Sequence, residues 1–225
     1  MNYAGTLYIV ATPIGNLQDI TLRALDILKN VDLIVCEDTR VTSVLLNKYE
    51  IKKPLIPLNE FNEEQTVYAV LGKLVSENVA LVSDAGTPLI SDPGYKLVLA
   101  AKKKDINIVP IPGVSAITTA LSAAALPTDR FIFLGFLPKT PSKALRSLEL
   151  TKVLESTVVL YESPHRVLQT LKNIQQVFGD IEITIARELT KKFEEIKSYR
   201  VSEILRIYAT KNPKGEFTIL FSTKA

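Results

Sequence analysis

Short apolar runs alternate with segments whose apolar residues recur every three or four positions, and the alternation persists from Thr6 to Phe221. Runs at Thr6–Ala11, Asp32–Cys36, Leu55–Leu58, Ala80–Val82 and Ile106–Pro110 predict strands buried on both faces, as in a parallel sheet. Between and after them the spacing predicts helices over Leu22–Asn30, Val41–Tyr49, Glu63–Ser76, Tyr95–Lys104 and Ala116–Ala125. Thr21 is placed to cap the first of these. Connections of a few residues make this a layered α/β pattern.

Leu126–Asp129 reads as a junction that divides the chain into domains 1–126 and 127–225. Beyond it the pattern predicts strands at Phe131–Phe136, Thr157–Tyr161, Glu182–Ala186, Glu195–Arg200 and Glu216–Phe221. Helices are expected up to Leu154, from Pro164 to Phe178 and over Val201–Thr210, with Pro164 placed to open the second. Tight turns such as Lys214–Gly215 suit antiparallel neighbours, so the second sheet is expected to be mixed.

Five polar turns follow directly on apolar strands: Pro13–Asp19, Glu37–Arg40, Ser83–Gly94, Pro112–Ala116 and Glu162–Arg166. If the first-half strands are parallel, four of these turns gather on one edge of the sheet, where open α/β sheets bind ligands. A phosphate site would call for glycine-rich N–H cradles backed by lysine. These turns carry Asp, Ser, Thr and Pro and no Lys, which suits ribose hydroxyls, an ammonium or a sulfonium better. A nucleoside with a cationic or neutral tail is the expected ligand. Asp84 and Asp92 shape the long loop, touch the ligand, or do both.

Composition narrows the chemistry further. With 47% apolar and 23% charged residues among 225, the chain has the make-up of a globular protein. No apolar run approaches the roughly 18–20 residues that span a bilayer, and Met1–Gly5 lacks the basic n-region of a signal peptide, so cytoplasmic residence and no membrane partner are expected. A single Cys and a single His rule out an internal disulfide and a Cys/His zinc cluster, and no metal ligands are assigned. The dinucleotide, Walker A and nucleophile-elbow motifs are absent. Residues 1–112 carry 11 Lys/Arg against 13 Asp/Glu, and residues 113–225 carry 16 against 11. The basic second half points to a polyanionic partner.

The turns, in this order, resemble the tetrapyrrole-methylase family of S-adenosylmethionine-dependent methyltransferases, and within it the ribosomal RNA branch. The resemblance rests on ATPIGNLQDITLRA at Ala11–Ala24, CEDTR at Cys36–Arg40, SDAGTPLISDPG at Ser83–Gly94 and IPGVSA at Ile111–Ala116. It continues through GFLP at Gly135–Pro138, YESPHR at Tyr161–Arg166, ARELT at Ala186–Thr190 and KGE at Lys214–Glu216. It implies a two-domain class III methyltransferase fold, with a mainly parallel N-terminal sheet and a mixed C-terminal one. It also implies a homodimer and 2′-O-methylation of a cytidine in the decoding region of 16S rRNA on the small ribosomal subunit. A porphyrinoid methyltransferase and a non-catalytic nucleoside-binding or ribosome-assembly module are the alternatives.

By the same resemblance, contacts to S-adenosylmethionine fall on Pro13, Gly15, Asp84, Ala85, Gly86, Thr87, Ile90, Ser115, Ala116, Tyr161, Glu162 and Leu189. Candidates for general base or hydroxyl orienter are Asp38, Glu162 and His165. Arg40, Lys139, Lys143 and Arg166 are the candidate RNA contacts. Many members continue with a helical extension after the strand near Phe221, whereas this sequence stops at Ala225, so RNA contact is expected on the basic second half and the dimer.

Overall fold

The computed structural model describes residues 3–59 and 61–224. The chain divides into two compact units after Ser115. In the first, the elements are β1 (Thr6–Val10), α1 (Leu22–Asn30), β2 (Leu33–Cys36), α2 (Thr39–Lys48), β3 (Leu55–Pro57), α3 (Glu63–Lys73), β4 (Val79–Val82), α4 (Tyr95–Lys103) and β5 (Asn107–Ile111). All five strands are parallel, in the order β3-β2-β4-β1-β5.

Crossovers leaving β1 and β2 run towards one edge of this sheet, and those leaving β3 and β4 run towards the other. Right-handed crossovers of opposite direction must lie on opposite faces. The packing obeys this rule. Ala24 and Leu28 of α1 and Leu45 and Leu46 of α2 pack on Val10, Ile34, Ala80 and Val82. On the other face, Val70 and Leu74 at α3 and Leu97 and Ala101 of α4 pack on Leu7, Val35, Val79 and Leu81. β4 therefore sends alternate side chains into two cores, which is why its sequence shows a continuous apolar run. Each fully buried Leu or Val is worth about 1.5–3 kcal/mol of transfer free energy.

The second unit contains α5 (Ala116–Ala123), β6 (Phe131–Phe136), α6 (Pro141–Glu149), β7 (Thr157–Glu162), α7 (Val167–Phe178), β8 (Glu182–Arg187), β9 (Glu195–Arg200), α8 (Val201–Thr210) and β10 (Phe217–Ser222). Its sheet runs β6-β7-β10-β8-β9; β6 and β7 are parallel and every other pair is antiparallel. Leu148, Leu171 and Ile204 from α6, α7 and α8 cover one face, over Leu160, Ile185 and Ile219. The α/β class and the parallel-plus-mixed pair of sheets agree with the sequence pattern.

Several boundaries differ from it, each for a local reason. The division after Ser115 precedes the junction expected at Leu126–Asp129, because α5 packs against β10 of the second sheet. The Thr184 hydroxyl on β8 also donates to the Ala124 carbonyl just past α5. α2 starts at Thr39 rather than Val41, since the Asp38 side chain caps it by accepting the Arg40 N–H at 2.8 Å. α3 ends at Lys73, where the Ser76 and Glu77 N–H groups both turn back onto the Lys73 carbonyl. α6 stops at Glu149, and a separate 3-10 turn covers Lys152–Leu154. Pro164 does not open α7. The Ser163–Arg166 segment forms a turn, with the Arg166 N–H donating to the Ser163 carbonyl, and the helix starts at Val167.

Among the described residues no helix is long and apolar enough to cross a membrane. Gly5 shows how tightly the start of β1 is held. Its N–H donates to the Leu74 carbonyl at 3.1 Å, and a Cβ placed on it would lie 1.9 Å from the Glu77 carbonyl oxygen. Backbone would have to move to admit a methyl group. Gly5→Ala is therefore expected to lower the unfolding free energy by about 2 kcal/mol or more, read from urea denaturation; an unchanged midpoint would contradict the packing described.

Candidate functional site

The parallel strands of the first unit bring four polar turns to the C-terminal edge of one sheet. Three of them are tied together. Gly86, at φ +86°, forms an antiparallel bridge with Thr12, the N–H groups donating to each other's carbonyls at 2.9 and 3.0 Å. The buried Thr12 hydroxyl donates to the Ser83 carbonyl, and the Ser83 hydroxyl donates to the Gly86 carbonyl. Thr87 then donates its hydroxyl to the Val114 carbonyl, joining the turn after β5. That turn lies close to the first: a Cβ on Gly113 would stand 2.9 Å from the Ala11 Cβ. Leu89 and Ser91 add left-handed backbone at φ 73° and 68°. Strain of that kind in non-glycine residues persists only where the surroundings over-determine it.

The fourth turn joins through charge. Asp84 accepts the Asp38 N–H at 3.0 Å, so the long loop after β4 fixes the start of α2. Asp38 in turn receives the Arg40 side chain on both carboxylate oxygens. The Arg40 hydrogen bonds hold the Asp38 carboxyl down at about 2. Burial raises the Asp84 carboxyl, the Asp38 N–H lowers it, and the neighbouring Asp38 charge raises it again. Burial likewise pushes Asp92 up to about 6, against the lowering effect of the Ser83 hydroxyl and with a further push from Asp84. Cys36 beneath them is buried, and burial pushes its thiol up. The edge is thus acidic, crowded and partly desolvated. Among the described residues no group of three His, Cys, Asp or Glu side chains could hold a metal ion.

The second unit carries its own set. The Glu162 side chain is fully buried, with Oε1 accepting the Ser163 N–H at 2.8 Å and Oε2 accepting the Thr170 hydroxyl at 2.6 Å. Arg166 Nε stands 3.6 Å from the same carboxylate, and its Nη2 donates to the Leu137 carbonyl. One clamp therefore ties the turn after β7 to α7 and to the loop after β6. Tyr161 presents its ring beside Phe133 and Phe136, with centroids 4.8 and 5.8 Å away and edge-on geometry. Leu189 is buried in the turn after β8, between the left-handed residues Glu188 and Thr190.

Of the residues expected from sequence, Asp84, Gly86 and Thr87 lie inside the laced edge, with Ala85 and Ile90 exposed on the same loop. Pro13 is buried and Gly15 exposed in the turn after β1; Ser115 and Ala116 are half-buried at the end of the turn after β5. His165 is exposed on its turn, as are Lys139 and Lys143 around the start of α6. Arg40 is exposed but engaged by Asp38, and Arg166 is engaged on both sides. Sequence reasoning missed Thr12 and Thr170. Thr12 carried a usable signal, a hydroxyl two positions past the end of β1. Thr170 carried none, being one polar residue on an otherwise amphipathic helix.

Three comparisons place this arrangement among known proteins. Residues 6–205 match the family described as Tetrapyrrole (Corrin/Porphyrin) Methylases. The chain is 48% identical to the ribosomal RNA small subunit methyltransferase I of Thermotoga maritima, over 98% of this chain and 99% of that protein. The protein of the same name from Escherichia coli O157:H7 is 49% identical over 91% of this chain and 72% of its own length. Among solved structures, a cobalt precorrin-4 methyltransferase superposes with TM-score 0.72 at 21% identity, covering 96% of this chain and 93% of that one. A uroporphyrin III C-methyltransferase from Thermus thermophilus gives 0.71 at 15%, covering 97% and 98%. At such low identity these two show the fold.

The Asp92 environment has a pH signature. Folding raises this carboxyl from 3.8 to about 6, so the folded state holds the extra proton and stability declines as pH rises through that window. Asp92→Asn is expected to remove the decline, leaving the variant about 1–2 kcal/mol more stable than the parent near neutrality and no more stable below about pH 4. Urea unfolding across the range checks this; identical pH profiles for parent and variant would refute it.

Proposed function

Because this chain belongs to the tetrapyrrole (corrin/porphyrin) methylase family, we propose that it transfers a methyl group from S-adenosylmethionine to a cytidine 2′-hydroxyl in the decoding region of 16S rRNA. The observation that carries the choice of RNA is the contrast in identity. Relatives named for the ribosomal RNA small subunit match at 45–49% over nearly the whole chain. The corrin and porphyrin methyltransferases share the fold at 15–21%.

The first-unit edge fits S-adenosylmethionine in its donor set. It offers carbonyls, Asp84, Asp92 and no lysine to a ligand with an ammonium, a sulfonium and ribose hydroxyls. Gly86 provides a cradle that a side chain would fill, its Cβ position lying 3.4 Å from Ile14 and 3.7 Å from the Val114 carbonyl. Pro13, Gly15, Ala85, Gly86, Thr87, Ile90 and Ser115 in this unit, with Ala116, Tyr161 and Leu189 in the other, are the proposed contacts. When bound, the cofactor supplies an electrophilic methyl on a positively charged sulfur.

The protein's share is alignment, worth roughly 7–11 kcal/mol of barrier. General-base assistance adds about 10²–10⁴-fold. Asp38, held near 2 by Arg40, is a weak base and is assigned to orienting α2 and Asp84. Glu162 spends both carboxylate oxygens within the protein, so it acts by holding the Tyr161 turn rather than by taking a proton. His165 keeps an exposed ring next to that turn and remains the candidate for orienting the hydroxyl. Lys139 and Lys143 are assigned to the RNA backbone, whereas Arg166 positions the loop that carries Lys139.

Labelled S-adenosylmethionine incubated with small subunits from cells lacking this protein is expected to leave one alkali-resistant 2′-O-methylcytidine in 16S rRNA. Label in a small-molecule fraction alone would favour the porphyrinoid alternative, and cofactor binding without transfer the non-catalytic one. Gly86→Val is expected to weaken S-adenosylhomocysteine binding at least about 10-fold by calorimetry, from lost backbone approach and a φ that valine resists.

A further inference from the structure

The second unit holds a cavity of about 500 Å³ that none of these assignments uses. It lies among α8, β9, the end of β8 and the Asn212–Gly215 turn. Ile204, Tyr199 and Tyr208 line it, together with Arg187, Lys211 and Lys214. The Tyr208 ring is half-buried and packed edge-on to Phe217 at 6.0 Å.

The charges in this cavity are unevenly committed. Glu195 accepts Arg187 Nε and Nη2 at 3.1 and 3.0 Å, and the Tyr199 hydroxyl at 2.8 Å, so its negative charge is spent inside the wall. Arg187 further donates to the Lys214 carbonyl, which holds the turn in place. Among the described residues no ion pair is formed by Lys211 or Lys214, and both are exposed. A preformed wall of aromatic and aliphatic groups thus has two uncommitted ammonium groups beside it. An inorganic anion would use the lysines and leave the aromatic wall idle. A planar base joined to a phosphate uses both, by stacking on a ring and by charge at the backbone.

We propose that this cavity binds one unpaired nucleotide of the RNA substrate, its base against Tyr208 and its flanking phosphates on Lys211 and Lys214. The proposal rests on RNA being the substrate, and it assigns a second anchoring point, built wholly from the second unit and lined by none of the residues assigned to the cofactor. It also gives the excess of Lys/Arg in the second half a definite place to act.

The test measures anisotropy of a fluorescein-labelled 12-nucleotide single-stranded RNA with the full chain at several salt concentrations. The Lys211→Gln, Lys214→Gln pair is expected to bind at least about 5-fold more weakly, and to lower the slope of log K against log salt by about 1.4, two contacts at about 0.7 each. Tyr208→Leu is expected to lose about 10-fold through lost stacking, while Tyr208→Phe binds like the parent. Thermal unfolding and S-adenosylhomocysteine binding confirm that each variant is folded. Parent-like binding by the lysine pair and by Tyr208→Leu would overturn the cavity assignment alone. A loss confined to the lysine pair would also overturn it, by showing only surface charge. No RNA binding by the parent would sink the RNA reading itself.

Discussion

The bridge between Thr12 and Gly86 is the constraint from which the first unit's candidate functional edge is built. Its two backbone hydrogen bonds satisfy N–H and carbonyl groups in a buried place, where each left unpaired would cost about 1–3 kcal/mol. Only a residue at ease with positive φ can make it from the β4 side, so glycine at 86 is demanded by geometry. Once the bridge is set, the Thr12 and Ser83 hydroxyls close the corner. Asp84 is then aimed at the Asp38 N–H, and through it the start of α2 is placed. One contact between two strand exits thereby orders three others.

The second unit solves the same problem with charge instead of backbone pairing. A carboxylate as deeply buried as Glu162 would be costly alone, and two hydrogen-bond donors, from Ser163 and Thr170, with the Arg166 charge 3.6 Å away, offset that cost. Arg166 also reaches the Leu137 carbonyl, so the basic loop before α6 is held by a buried anion. Residues that sequence marks as chemical can thus be structural in the folded state. Asp38, Glu162 and Arg166 are all engaged in this way, because a charged side chain at a strand exit finds polar neighbours within the fold.

The layered pattern, the parallel first sheet and the mixed second sheet were legible because buried strands and amphipathic helices have different periods. Helix ends were less so. Asp38 as a cap, the turn at Ser163–Arg166 and the 3-10 turn after α6 depend on single hydrogen bonds that no periodicity reports. α5 falls in the second unit, whereas the sequence pattern places it before the junction, because its small apolar residues suit either sheet and its packing on β10 decides. At the candidate site, turn chemistry marked the loops that the parallel sheet gathers at one edge, but pairings between residues some seventy positions apart, such as Thr12 with Gly86, lie outside any local signal.

The strand order has a consequence for how the protein comes into being. β1 is made before both of its neighbours in the sheet, β4 and β5, which are synthesised about 70 to 100 residues later. At about 5–20 residues per second, its apolar run emerges from the ribosome roughly 4–14 s before the earlier of those neighbours does. For that interval Leu7, Ile9 and Val10 have no sheet to join, and the nascent chain must be shielded or left briefly sticky. A protein whose proposed substrate is part of the translation machinery therefore acquires its own candidate edge only after β5 has been translated.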